Sequence, residues 1–255
     1  MGNISMDFFS QALERYVTVK AVLPFDETES AGSPPYKTLY FLPGYSANAS
    51  SILSSSILDE LSAVEGFALI IPDGENSFYT NQEDVHALYE SFISEELLTI
   101  TRKLLPLSDK REDTYIGGIS MGGFGSLMLG SRHIDTFSKI LALSPVTDPY
   151  CSSLFKNSSF TRKQFDRYFV NEERYRADYH PSNILKKIKA EEKKLPDIFL
   201  CCGEQDPLTY DMDRRFVSEM EESNIPVTAE WGRGAHTPMY WNALLPAAIN
   251  FMLKD

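Results

Sequence analysis

The chain has 255 residues and a mass of 28.8 kDa, enough to bury one substantial core. With 43% hydrophobic and 24% charged residues, a net charge of −12 and a pI near 4.8, it has the composition of an ordinary soluble globular domain. That charge repels a nucleic-acid backbone and an anionic membrane surface, so neither is expected as a partner.

Met1 to Ser10 has no basic region followed by an apolar stretch, so no signal peptide is expected. Tyr16 to Leu23 alternates like a strand, and Thr38 to Leu42 is a short apolar run ending at Pro43-Gly44. Ser50 to Ala63 has helical spacing. Phe67 to Ile71 is a buried strand ending at Pro72-Asp73-Gly74. Val85 to Leu105 is a long amphipathic helix stopped by Pro106. Tyr115–Ile119, Lys139–Leu143, Ile198–Cys202 and Val227–Trp231 are further strands. Met239 to Leu253 closes the chain as a helix, with a bend expected at Pro246. Strands alternating with helices predict a single α/β domain over residues 1–255, with a mostly parallel sheet and helices on both faces. The first one or two strands are expected to be antiparallel, at one edge.

Residues 146–196 break this rhythm. They are rich in aromatic residues, among them Phe155, Phe160, Phe165, Tyr168, Phe169, Tyr175 and Tyr179, with several arginines. Short helices inserted between two strands and lying over the strand ends are expected there. They are either a small cap shaping a pocket or an ordinary surface excursion with partly buried aromatics. The uncharged-looking end, Gly234 to Leu253, contains Pro238, Pro246 and two asparagines, and reads as a buried helix rather than a membrane anchor. Cys151, Cys201 and Cys202 are odd in number, and the adjacent pair would point to opposite faces of a strand. Reduced, buried thiols and a cytoplasmic location follow. No Cys/His spacing suggests a metal, and no cofactor is called for.

The most informative stretch is Gly118-Ile119-Ser120-Met121-Gly122. A β-branched and aromatic strand precedes it and a small-residue helix start follows, which is the context of a nucleophile elbow. Gly118 and Gly122 remove Cβ atoms that would collide in so sharp a turn. A serine needs a base, and the base an orienting acid. Of four histidines, His86 and His133 fall on or at the end of helices and His180 precedes Pro181. Only His236 sits in a glycine-flanked loop after a late strand. Asp206, in Gly203-Glu204-Gln205-Asp206-Pro207, follows the preceding strand and is the expected acid, with Asp148 as runner-up. The order serine, acid, histidine is that of the α/β-hydrolases. Oxyanion donors are expected from the backbone N–H groups of Met121 and Tyr45, the latter in the loop after the Thr38 strand. Phe78, Tyr79 and Trp241 are candidate pocket walls, alongside the reading that such aromatics are core.

These residues resemble a family. Leu42-Pro43-Gly44-Tyr45-Ser46-Ala47-Asn48, the segment Pro72 to Thr80, Glu95-Glu96-Leu97, Gly118 to Gly125 and the Asp206 and His236 loops look like the esterase D branch of the α/β-hydrolases. Within it the bacterial tributyrin-esterase type of carboxylesterase is most similar. The resemblance implies Ser120, Asp206 and His236 as a triad and short acyl esters, acetyl to butyryl, as substrates. Pro43 departs from the pattern, since many members carry histidine there. Formylglutathione hydrolases of this branch carry a cysteine in the oxyanion loop, whereas no cysteine precedes Cys151 here. The expected activity is a serine esterase acting on a small-molecule or saccharide ester. A feruloyl or acetyl-xylan type esterase, an acyltransferase on the same fold and a non-catalytic binding protein are the alternatives, and a homo-oligomer is left open.

Overall fold

Eight strands form one sheet: β1 (Gly2–Ser10), β2 (Arg15–Leu23), β3 (Thr38–Leu42), β4 (Ala68–Pro72), β5 (Thr114–Ile119), β6 (Lys139–Leu143), β7 (Asp197–Gly203) and β8 (Thr228–Gly232). This computed structural model describes residues 1–25, 33–150 and 161–254. The spatial order is β1-β2-β4-β3-β5-β6-β7-β8. From β4 to β8 every pairing is parallel, whereas β1 pairs antiparallel with β2 and β2 with β4. This is the α/β-hydrolase fold, with the expected antiparallel edge.

Parallel strands covered on both faces read as continuous apolar runs, and β3, β4 and β5 are buried at every position. Their alternate side chains part between two layers. Phe41, Leu69 and Tyr115 pack with α1 (Ala49–Ser55), α2 (Leu58–Glu65) and the final helix, Pro238–Leu253. Tyr40, Ile70 and Ile116 pack with α3 (Leu97–Leu104) and α4 (Met121–Arg132) on the other face. The edge strand β1 instead alternates exposed with half-buried residues.

Three elements differ from the sequence expectation, the first being β1, a stretch where no strand was expected. The helix expected over Ser50–Ala63 is two helices, because Ser56 is extended (φ −121°, ψ 162°) and the side chain of Asn242 accepts the Ile57 N–H at 3.2 Å. The helix expected from Val85 begins later. Asn81–Gln82 pairs with Ala87–Leu88, His86 is left-handed (φ 50°), and the helical run starts at Tyr89, passes through a π-turn at Phe92–Glu96 and ends at Leu104. Leu105 is extended, as a residue before proline prefers. The last helix, as expected, is a single element, Pro238–Leu253, with Pro246 inside it.

Between β6 and β7 lie α5 (Arg162–Phe169) and α6 (Pro181–Ala190). Cys151, Phe155 and Phe160 lie outside the described residues. Phe165, Phe169 and Tyr175 are buried, and Phe169 and Tyr175 meet Phe124 of α4 at centroid distances of 5.6 and 6.3 Å. The Cys201 and Cys202 thiols are both buried and free. Among the described residues no helix is long and apolar enough to cross a membrane.

The tightest packing is at the turn from β5 into α4. A Cβ on Gly122 would lie 1.9 Å from the Leu42 carbonyl oxygen, and one on Gly118 2.4 Å from the Gly122 oxygen. Both obstacles are backbone and cannot swing aside. Gly122→Ala is expected to cost about 3 kcal/mol or more, read as a lower urea midpoint at unchanged slope. A midpoint equal to wild type would show that the two backbones separate freely.

Candidate active site

Ser120 stands at the point where β5 turns into α4, with φ 58° and ψ −113°. A non-glycine residue holds such a conformation only where its surroundings enforce it. Here the Ser120 N–H donates to the Leu143 carbonyl of the neighbouring strand at 2.9 Å. The Ser120 carbonyl accepts from Phe124 N–H at 3.0 Å and from Val146 N–H at 3.2 Å. Met121 is the first residue of α4, so its N–H is among those with no intrahelical partner. The loop after β3 passes close by: a Cβ on Gly44 would lie 3.5 Å from the Ser120 Cβ.

His236 and Asp206 come from the loops after β8 and β7. These loops are stitched together by Glu204 N–H to the Gly232 carbonyl at 2.8 Å and Gln205 N–H to the Gly234 carbonyl at 2.9 Å. His236 Nδ1 lies 2.6 Å from Asp206 Oδ2. The same carboxylate oxygen accepts the Thr209 hydroxyl at 2.8 Å, while Oδ1 accepts the N–H groups of Leu208 and Thr209 at 2.9 and 3.2 Å. Burial by itself would raise the Asp206 carboxyl. The hydrogen bond and charge of His236, with the donors of Leu208 and Thr209, outweigh it and hold the group below the ordinary carboxylate value. The edge of the imidazole meets the Trp241 ring at 5.0 Å and 87°, and Trp241 Nε1 donates to Ser144 Oγ at 3.0 Å.

Ser120 and His236 open onto one cavity of about 320 Å³, together with Tyr45, Ile52, Ile119, Trp241 and Leu245. Several polar residues of its wall are already engaged. Ser51 bonds reciprocally with Asn48, and Asn242 links Ile57 N–H to the Ser55 carbonyl. What remains toward the interior is largely apolar. Among the described residues no group of three or more His, Cys, Asp or Glu side chains is placed to hold a metal ion.

The family model described as "Putative esterase" matches residues 10–252. The chain belongs to the Esterase family. It is 30% identical to an acetyl esterase of Caldicellulosiruptor saccharolyticus, over 264 residues covering 100% of this chain and 99% of the relative. Among solved structures it is similar to Staphylococcus aureus fluorophosphonate-binding serine hydrolase F, with TM-score 0.87 and 26% identity over 100% and 99% of the two chains. It is also similar to the S. aureus S-formylglutathione hydrolase FrmB, with TM-score 0.86 and 26% identity over 99% of each. The protein is therefore a carboxylic ester hydrolase of the esterase D branch.

Two expected pocket residues of this esterase are elsewhere. Phe78 and Tyr79 do not line the cavity; both are buried. Phe78 is the hub of an aromatic cluster with Tyr45, Phe124, Phe165, Tyr168 and Phe169, and Tyr79 lies beneath the β3 loop, its hydroxyl donating to the Pro43 carbonyl at 2.7 Å. Trp241 does line the cavity, and no described residue of the 161–196 stretch does. Asp148 is turned to Arg176 at 3.1 Å. His86 is exposed beside Glu14, His133 bonds Glu90 at 3.1 Å, and His180 precedes α6. A larger cleft of about 750 Å³, lined by Arg111, Arg132 and Lys187, contains none of the candidate site residues, and concave size alone does not outweigh the chemistry gathered around Ser120.

Thr209 and Asp213 are neighbours of Asp206, and Asp213 stands in the first turn of the helix Tyr210–Glu222. The Asp-Pro-Leu-Thr run after Gly203, in which an Asp can accept the N–H groups two and three residues on, was the available signal for the Thr209 contact. Asp213 is fully buried and accepts from Thr147 at 3.2 Å. Burial, aided by the charge of Asp206, raises its carboxyl well above the ordinary value of 3.8. The folded protein thus keeps a proton that the unfolded chain releases, and stability from this group falls as pH rises above 3.8. Asp213→Asn has no such proton to lose. Its urea midpoint relative to wild type should rise between pH 4 and pH 7. A difference that does not vary with pH would mean that Asp213 is ionised in the folded protein.

Proposed function

We propose that this esterase cleaves short-acyl esters through Ser120, His236 and Asp206. The observation that carries the reading is that a serine held at a strained elbow and a histidine 2.6 Å from a buried carboxylate face the same cavity. In this reading His236 takes the proton of Ser120 as its oxygen attacks the ester carbonyl. Asp206 fixes the imidazole tautomer and offsets its positive charge. The N–H groups of Met121 and Tyr45 receive the oxyanion, the first at the positive end of α4. His236 then returns the proton to the departing alcohol, and water hydrolyses the acyl-enzyme by the same route. The neutral, largely apolar cavity and the net charge of −12 support a small uncharged ester as substrate and argue against nucleic acid or membrane as partner.

The short-acyl proposal is supported by the cavity volume of about 320 Å³, at the small end for ligand sites, and by its walls of Ile52, Ile119, Trp241 and Leu245. The acetyl esterase relative points the same way.

A fluorophosphonate probe should label Ser120, and Ser120→Ala should remove the label and lower turnover of p-nitrophenyl acetate by roughly 10⁴-fold or more while leaving the fold intact. Asp206→Asn should cost about 10²- to 10⁴-fold, and Asp148→Asn little; the reverse ranking would move the acid to Asp148.

Acyl selectivity should be graded, because one methylene in an apolar pocket is worth only about 1–3 kcal/mol. Across p-nitrophenyl esters from C2 to C12, kcat/KM should fall steeply beyond about six carbons, since a packed wall resists added methylenes. A maximum at C8 or longer, or ferulate released faster than acetate, would overturn the short-acyl proposal.

A further inference from the structure

We propose that the segment after β4, residues 73–80, is a brace that aims the Tyr45 N–H, with Tyr79 and Asn76 as positioning residues. The proposal rests on the reading above that this N–H receives the oxyanion.

The peptide that carries the donor is Gly44–Tyr45. The peptides on either side of it are each held by one side chain of the brace. Tyr79 donates its hydroxyl to the Pro43 carbonyl at 2.7 Å, fixing the peptide before. Asn76 Oδ1 accepts the Ser46 N–H at 2.7 Å, fixing the peptide after. The middle peptide is tied through its own oxygen, which accepts from Ala47 N–H at 3.1 Å. A trans peptide is planar, so its N–H points opposite to its C=O. Holding the Gly44 oxygen in that turn therefore sets the direction of the Tyr45 N–H. Asp73 adds a fourth tie, accepting Ala49 N–H at 2.7 Å where the loop enters α1.

The brace is stiff for reasons visible around it. Tyr79 is fully buried, and burial raises its phenol well above the ordinary value, so it remains a donor. Its ring is pressed against the turn: a Cβ on Gly74 would lie 2.1 Å from the Tyr79 hydroxyl oxygen. Ser77 Oγ donates to the Gly74 carbonyl at 2.7 Å and accepts Tyr79 N–H at 3.0 Å, closing the turn on itself. The loop being held is itself strained, with Ser46 at φ 62°, and such a residue relaxes when its constraints are removed. Tyr79 does not line the cavity, and Tyr79→Phe keeps the ring that packs against Gly125 of α4, so the loss of the hydroxyl alone acts through the loop.

The test uses Tyr79→Phe and Asn76→Ala. Tyr36→Phe is the control, since it deletes another buried tyrosine-to-carbonyl bond, to Pro24 at 3.2 Å, away from the site. Each variant is measured for kcat and KM on p-nitrophenyl acetate and for thermal midpoint. Each is also measured for inhibition by a trifluoromethyl ketone, which forms a tetrahedral oxyanion adduct, and by the matching methyl ketone as a ground-state mimic. Tyr79→Phe and Asn76→Ala should lower kcat about 10- to 100-fold, less than outright loss of a donor, with KM within about threefold. Affinity for the trifluoromethyl ketone should fall by a similar factor, and that for the methyl ketone should hold. Tyr36→Phe should lower the midpoint alone. The brace is overturned if kcat stays within about twofold in both brace variants, or if both ketones weaken equally, while Ser120→Ala abolishes turnover. Turnover surviving Ser120→Ala would overturn the reading of the site itself, and the brace with it.

Discussion

Three backbone segments meet beside Ser120, and at Gly118 and Gly122 they do so at distances that only glycine allows. Gly122 presses on the Leu42 carbonyl, Gly118 on Gly122, and Gly44 on the Ile119 carbonyl, where a Cβ would stand 1.9, 2.4 and 3.2 Å from the respective oxygens. The turn from β5 into α4 and the loop after β3 therefore cannot be placed independently. The contact decides where α4 points, since the helix must leave the sheet in the direction that keeps Gly122 against Leu42. It also brings the Tyr45 peptide beside the serine before any side chain contributes. The same closeness recurs between the loops after β7 and β8. A Cβ on Gly203 would lie 2.3 Å from the Gly234 oxygen, and the two loops so joined carry Asp206 and His236. The site is thus assembled from two close backbone contacts at the carboxyl ends of parallel strands, where open α/β sheets place their crevices.

Two buried carboxylates near each other show how environment divides their behaviour. Asp206 is almost fully buried, yet it accepts two backbone N–H groups, a hydroxyl and the imidazole. Asp213, in the first turn of the helix Tyr210–Glu222, is equally buried, but its Oδ2 meets no hydrogen-bond donor among the described residues, and burial raises its carboxyl. Desolvation acts on both; what separates them is the number of donors facing the charged form. Raising the Asp213 carboxyl disfavours a second negative charge beside Asp206.

Much of this was legible in the sequence because it is encoded locally. The glycine pattern around Ser120, the strand runs ending in Pro-Gly or Gly-Glu turns, and the glycines just before His236 are short-range signals, and a mostly parallel sheet follows from alternating strands and helices. The misjudged parts depend on distant partners. Nothing near Ser56 announces that Asn242, from the last helix, will take the Ile57 N–H and split the helix there. Nothing in the composition of 78–79 reveals two consecutive left-handed residues, with φ of 51° and 57°. Aromatic residues in a row are expected to alternate between faces; a left-handed pair breaks that rule, and both Phe78 and Tyr79 are buried and do not line the cavity. The aromatic stretch after β6 was similarly ambiguous, since Phe169 and Tyr175 owe their burial to Phe124 on α4.

Pro43 stands where the sequence resemblance leads one to expect histidine, and the packing beneath it does not depend on that side chain. The Tyr79 hydroxyl bonds the carbonyl of residue 43 and not its side chain. Proline keeps that carbonyl; it gives up only the N–H and the freedom of φ. A residue with fixed φ at the start of a tightly held loop loses less entropy on folding than a flexible one. The set of the loop comes from below, through Tyr79, Asn76 and Asp73, and those bonds persist whatever side chain precedes Gly44. The tolerance has a limit. Gly44 lies against the Ile119 carbonyl, where a Cβ would stand 3.2 Å from the oxygen, so a side chain there requires the elbow backbone to give by a few tenths of an ångström.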